Sequence, residues 1–87
     1  MTQPDAFVAI ADATRRHLLE ELRRRPRTVT ELAQGLPISR PAVSQHLKVL
    51  LDAGLVNAEA SGTKRVYSVS TDGFVSLNIW LDQFWKA

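Results

Sequence analysis

Cysteine is absent from all 87 residues, which removes disulfides, thiolate metal sites and thiol redox switching at once. No apolar run approaches the roughly 18 residues of a membrane span, and the N-terminus lacks a basic-then-apolar leader pattern. No membrane partner is expected, and the expected location is the cytoplasm. Internal repeats, low-complexity tracts and interdomain linkers are also missing, so residues 1–87 read as one domain. Net charge is small, at +2. Length is short as well: a chain of this size buries only about 60% of its unfolded surface, so its own core is marginal. Yet the apolar fraction, 45%, is ordinary for a folded protein. A small chain with a normal apolar load hides part of it in a partner, which predicts an oligomer.

What charge there is lies unevenly. Eight of the eleven cations are arginines, and Arg15, Arg16, Arg23, Arg24, Arg25 and Arg27 crowd one short segment. Two readings stand open: a solvated helix face softened by Glu20 and Glu21, or a surface that meets phosphates bidentately.

Punctuation falls at Pro26, Gly35-Leu36-Pro37, Gly54, Ser61-Gly62 and Asp72-Gly73. Between these marks the periodicity is readable. Phe7, Ile10 and Ala11 predict a short first helix over 3–11. Asp12 suits an N-cap, because its carboxylate accepts orphan amides of the next turn. Leu18, Leu19 and Leu22 stripe a second helix that Pro26 stops. Thr28-Val29-Thr30-Glu31 has the spacing of a capping box, opening a third helix that closes near Gly35. Ser39 caps a fourth helix, with Pro41 in its first turn where a missing N–H does little harm. Val43, Leu47, Leu50 and Leu51 share one face of it, and Gly54 fits a left-handed C-cap with Leu55 packing back. Val66, Tyr67 and Val69 favour strand, and Ser61-Gly62-Thr63-Lys64 reads as a hairpin turn between Leu55–Ala60 and Arg65–Ser70. Ser70 or Thr71 then caps a last helix over 72–87.

The third and fourth helices, with the tight turn between them, form a helix-turn-helix over 28–54. A helix that enters a major groove about 12 Å wide must be slim at its leading end and carry donors opposite its leucines. Ser39-Arg40-Pro41-Ala42-Val43-Ser44-Gln45-His46-Leu47-Lys48 meets both demands. Arg40, Ser44, Gln45 and Lys48 fall on outer faces, and Ser39 with the helix N-terminus favours a phosphate. Arginine to guanine and glutamine to adenine are familiar direct pairings. The hairpin tip, Gly62-Thr63-Lys64-Arg65, places two cations on a thin projection, so 55–70 reads as a wing.

The stretch from Ile10 to Leu19, then Val29-Thr-Glu-Leu-Ala, then Ile38 to Val56 closely resembles the ArsR/SmtB family of bacterial repressors. The resemblance spans about residues 5–70 and is most specific over Val43–Val56. It implies a mainly α fold with a β-hairpin wing: a winged helix-turn-helix dimer that binds double-stranded DNA and represses promoters, often including its own. By the same resemblance, base contacts fall to Arg40, Ser44, Gln45, His46 and Lys48, and backbone contacts to Lys64 and Arg65. Members that sense metal use a cysteine pair on the third helix, or carboxylate and histidine ligands on the last. Here Val29-Thr-Glu-Leu-Ala-Gln has no thiol, the last helix offers only Asp82, and His17 and His46 stand on separate helices. The chain is similar to the non-metal, autorepressor-type members, and neither metal nor cofactor is expected.

Phe74, Leu77, Leu81 and Phe84 repeat at i, i+3, i+7 and i+10, while Ile79, Trp80 and Trp85 add apolar surface on a second side. Two readings are open here: the tryptophans cover the protomer core, or so apolar a helix exceeds what one small domain covers. The expected two-fold interface joins the helices at 3–11 and 72–87 through Phe7, Ile10, Leu77, Trp80, Leu81, Phe84 and Trp85. The competing reading is a winged-helix module that binds protein without binding DNA. An enzyme is not expected: Ser44 and His46, two apart on a helix, point in different directions and make no nucleophile–base pair.

Overall fold

Local capping sets the element boundaries. The computed structural model describes residues 5–86. Helix α1 (Ala6–Ile10) starts where Asp5 Oδ1 accepts the Val8 N–H at 2.8 Å. It is shorter than the expected 3–11, and positions 3 and 4 lie outside the described residues. Asp12, in the extended region at φ −92°, ψ 131°, breaks the helical path and caps α2 (Ala13–Arg24) by accepting from Arg15 N at 3.0 Å. Helix α2 buries Leu18, Leu19 and Leu22 and ends ahead of Pro26.

Both halves of the expected capping box form. Glu31 N donates to Thr28 Oγ1 at 3.2 Å, and Thr28 N donates to Glu31 Oε1 at 2.9 Å, opening α3 (Val29–Gln34). Ser39 Oγ accepts from Ala42 N at 3.2 Å to open α4 (Arg40–Asp52). That helix closes with Gly54 at φ +76°, with Gly54 N bonded to Leu51 O and Leu55 N to Leu50 O. These are the two bonds of a Schellman cap, whose left-handed residue is almost free of cost only for glycine. Leu55, the residue that packs back, is fully buried.

The hairpin pairs β2 (Val56–Ser61) with β3 (Lys64–Val69) in antiparallel register, from Val56↔Val69 to Ser61↔Lys64. Gly62 takes the first central turn position at φ +63°, the pattern of a tight turn that matches strand twist. A further strand was not foreseen. β1 (Arg27–Thr28) pairs with β3 as Arg27↔Tyr67 and Thr28↔Val66, giving a three-stranded order β1-β3-β2. The wing is thereby tied to the residue that caps α3.

The core gathers Leu18 and Leu22 of α2, Leu32 of α3, Val43, Leu47 and Leu50 of α4, then Leu55, Val56 and Tyr67. Helix α5 (Asp72–Asp82) closes it with Leu77 and Gly73. Gly73 is pressed on the α4–β2 junction, where its N–H donates to Gly54 O at 2.9 Å. Thr71 makes no side-chain cap; Ser70 Oγ accepts from Asp72 N at 3.4 Å instead. Helix α5 also stops short of the expected 87. Beyond Asp82 the chain tightens into bonds from Phe84 N to Leu81 O and from Trp85 N to Asp82 O, the i→i+3 pattern of a fraying helix end.

One of the expected interface residues serves the protomer instead: Leu77 is only 5% exposed and belongs to the core, while Ile10 packs against that core and stays partly exposed. The apolar stripe of α5 is thus divided: Phe74 and Leu77 turn inward, whereas Trp80 and the residues after it turn outward.

Candidate nucleic-acid interface

Residues four apart share a helix face, so Arg40, Ser44 and Lys48 line one side of α4. The structure sets that side against the wing. Arg40, Ser44, Lys48, Thr63, Lys64 and Arg65 line a single groove of about 930 Å³, floored by Leu51 and Tyr67. Thr28, Val29 and Thr30, at the start of α3, complete its rim. Arg40, Lys64 and Arg65 are all exposed and join none of the ion pairs among the described residues. Lys48 is held by Asp52 at 3.0 Å, an exposed i,i+4 pair that a competing anion opens at little cost. The Arg65 guanidinium lies 5.7 Å from the Tyr67 ring centre, which steadies the wing cation over the groove floor. The trench is therefore cationic at its lip and apolar at its base.

Ser39 and Gln45 are exposed beside the groove without lining it. The Ser39 hydroxyl is occupied by the Ala42 amide and Pro41 has no N–H, so any ligand at the α4 start meets the Arg40 amide. His46 departs from its expected place. Its ring is half-buried and turned toward α2, with Nδ1 3.3 Å from Arg15 Nη1 and 3.9 Å from Asp12 Oδ2. At about 100° per residue it lies roughly 200° around the helix from Ser44, on the far flank of the leucine stripe. A base contact by His46 is thereby corrected, and Ser44 and His46 face apart.

The arginine crowd resolves mostly into internal contacts. Arg15 and Arg16 bond carbonyls at the end of α1, Arg27 pairs with Glu21 at 2.9 Å, and Arg25 approaches Glu31 at 3.5 Å. Thr28, Thr30 and Tyr67 are groove residues that sequence reading missed. Thr28 and Thr30 were visible only as a cap, although polar residues in the first turn of a helix that precedes a recognition helix are a usable signal.

Two carboxyls have altered acidity. The Arg15 backbone N–H, then its positive charge, holds Asp12 below the usual carboxylate range. Glu31 is lowered by the Thr28 backbone N–H and by the Thr28 and Arg25 side chains. Among the described residues no three His, Cys, Asp or Glu side chains gather closely enough to hold a metal ion. Asp82 bonds Lys86 at 3.1 Å and Asn78 at 3.5 Å. Among the same residues no helix is long and apolar enough to cross a membrane.

The other prominent surface is apolar. Phe7, Val8, Val75, Ile79, Trp80, Leu81, Phe84 and Trp85 are the exposed large apolar side chains among the described residues, and all belong to α1, to α5 or to the turn after it. Trp80 is their hub: its ring meets Phe7 edge-on at 4.9 Å and Phe84 at 4.7 Å.

Comparison with known proteins agrees with this geometry. Residues 12–58 match the family described as "Bacterial regulatory protein, arsR family". The chain is 53% identical over 83 residues to the HTH-type transcriptional regulator Rv2034 of Mycobacterium tuberculosis, covering 94% of this chain and 78% of that one. It is 31% identical to the transcriptional repressor SdpR of Bacillus subtilis, over 92% of this chain and 89% of the relative. Its fold resembles the homodimeric winged helix-turn-helix DNA-binding domain of Mb0332 from Mycobacterium bovis, with a TM-score of 0.71, 25% identity, and coverage of 87% and 70% of the two chains. A family match over more than half the chain, together with a relative more than half identical across nearly all of it, shows that this chain belongs to the arsR family of bacterial regulatory proteins and is a winged helix-turn-helix transcriptional regulator.

Proposed function

We propose that the chain works as a homodimer that binds a pseudo-palindromic duplex operator and represses transcription, with its own promoter a natural target. The observation that carries this reading is the groove between α4 and the wing, lined from one side by Arg40, Ser44 and Lys48 on a single helix face and from the other by Lys64 and Arg65. In it Arg40 reads guanine, and Gln45, at the groove's edge, reads adenine. Ser44 and Lys48 contact base edges or adjacent phosphate, while Lys64 and Arg65 grip the backbone from the wing. The α4 N-terminus takes a phosphate through the Arg40 amide and the helix dipole.

The aromatic patch supplies the second copy. Soluble monomers rarely expose contiguous apolar patches of more than a few hundred Å², and each aromatic buries about 150–250 Å². Phe7, Trp80, Leu81, Phe84 and Trp85, with Val8, Val75 and Ile79, form a self-complementary two-fold face. Two copies of α4 then meet successive major grooves about 34–36 Å apart. A module that docks on another protein would use the same patch, but would leave the groove cations without a task.

Selection from a random duplex pool with purified protein, followed by sedimentation, tests the reading. Two half-sites centred about 10–10.5 base pairs apart, bound by a dimer, are expected. Equal affinity after Arg40→Ala with Gln45→Ala removes α4 as the reading element. Failure to bind any duplex at low salt favours the protein-docking module.

A further inference from the structure

One side chain connects the two surfaces. Arg15, near the start of α2, donates through Nε to Ala9 O at 2.7 Å and through Nη2 to Val8 O at 3.2 Å, both at the end of α1. Its remaining arm, Nη1, lies 3.3 Å from His46 Nδ1 on α4. A guanidinium has donors and no acceptor, so this contact is a hydrogen bond in the tautomer that carries the ring proton on Nε2. The Asp12 carboxylate, 3.9 Å from the same nitrogen, fixes the start of α2 by accepting Arg15 N at 3.0 Å. The rigid planar fork thus meets both helices through three separate nitrogens, whereas an ammonium offers its donors from one point. Helix α1 carries Phe7 and Val8 of the aromatic patch, and α4 carries the groove face.

Resting on the dimer reading above, we propose that Arg15 and His46 are positioning residues: they clamp α4 to the interface helix and so fix the separation and tilt of the two recognition helices, and through these the operator half-site spacing the dimer accepts. The clamp touches no base. It acts on geometry alone, because α1 is a five-residue helix that does not hold its own angle. Without the third arm, α4 keeps its leucine packing but rocks about it.

The lack of cysteine makes a direct test clean. Gln45→Cys, exposed on α4, accepts one spin label per protomer, and the label-to-label distance in the DNA-free dimer reports the separation of the two helices. A narrow distribution is expected in the otherwise native protein and a broad one after His46→Leu. Unlabelled proteins carrying the native Gln45 are then titrated on the duplex selected by the wild type, and on the same duplex with one base pair inserted between half-sites, a shift of about 3.4 Å. The wild type should lose about tenfold or more on the longer duplex, a discrimination within the range of one poorly matched position. His46→Leu should bind the selected duplex about tenfold more weakly, as expected for two lost hydrogen bonds per dimer, and should barely distinguish the two lengths. His46→Asn returns an acceptor oxygen to the place of Nδ1 and should restore both readouts, whereas Arg15→Lys should behave as His46→Leu. A folded, dimeric His46→Leu with the native distance distribution and the native length preference overturns the clamp. If that variant does not fold, Arg15→Lys decides by the same two measurements. A wild type that gives no pair distance is monomeric, and that separate result refutes the dimer reading and the clamp with it.

Discussion

Removing the wing cations with Lys64→Ala and Arg65→Ala tests the groove quantitatively. In the proposed complex each wing sets Lys64 and Arg65 against phosphate, so a dimer neutralises four phosphates through its wings. Counterion release gives log K against log salt a slope of about −0.9 per neutralised phosphate, so the slope of the double variant should be shallower by about 3.6. Between 50 and 200 mM salt the wild type should then lose about 10² more in affinity than the variant. Fluorescence anisotropy at four salt concentrations reads both slopes. Arg65 also leaves its place near Tyr67, which costs about 0.5–1 kcal/mol of stability at most for an exposed pair, so a thermal melt confirms that the variant is folded at the assay temperature. As a control, Arg23→Ala with Arg24→Ala removes cations that lie outside the groove and should leave the slope unchanged. A wing variant with the wild-type slope means that Lys64 and Arg65 meet no phosphate, and the groove reading falls.

The hub of the aromatic patch should act as an interface hot spot: Trp80→Ala removes the ring that meets Phe7 and Phe84 and should raise the dimer dissociation constant at least about thirtyfold, with an unchanged sedimentation profile counting against the assigned face. Gly73→Ala should lower Tm, because its Cβ falls 2.7 Å from Leu55 Cδ2 and 2.8 and 2.9 Å from the Ala53 and Gly54 carbonyls. Backbone oxygens cannot rotate aside, and overpacking of about 1–3 kcal/mol outweighs a helix-propensity gain of under about 1; a Tm at or above the wild-type value refutes that packing. Acid should destabilise the fold through Asp12 and Glu31, whose folded pKa values lie below the ordinary 3.8 and 4.5. Depressed acids contribute stability that is complete above their unfolded pKa and is lost as pH falls through the folded one, so the contribution of this pair should be complete above about pH 5 and decline below it. Asp12→Asn with Glu31→Gln should flatten that decline in urea melts, and an identical pH profile in the double variant contradicts the assignment.

Sequence made the local features visible and left the shared ones undivided. The caps at Asp12, Thr28, Ser39 and Gly54 were legible because each is made by residues within a few positions of one another, as are the bonds that fix them. β1 was not, since two residues carry no period and their partners, Tyr67 and Val66, lie some forty positions away. The α5 stripe announced apolar demand without saying whose demand it was: periodicity shows that Leu77 and Leu81 share a face, but only packing assigns Leu77 to the protomer and leaves Trp80 outside. His46 is a different kind of miss. Its angle around α4 could be computed from the sequence, and a residue 200° from the groove face cannot share its ligand. The resemblance passed over that arithmetic because it treats the motif as a string.

In the proposed dimer, the division of α5 couples duplex binding to assembly. The inward half of the helix completes a core drawn from every other helix, and the outward half is exposed among the described residues. Such assembly would remove an exposed aromatic surface and, in the same step, double the half-sites engaged. Once one α4 is docked, the other faces its half-site at the high effective concentration of an intramolecular partner. Duplex binding consequently favours the dimer by the same factor by which dimerisation favours binding, since linkage is reciprocal. When total protein falls below the dimer dissociation constant, occupancy should follow the square of protein concentration, and a substitution at Trp80 should weaken operator binding although its ring lies outside the groove. A regulator that represses its own promoter through such an interface acquires a threshold in its own abundance from the aromatic patch alone, without a bound effector.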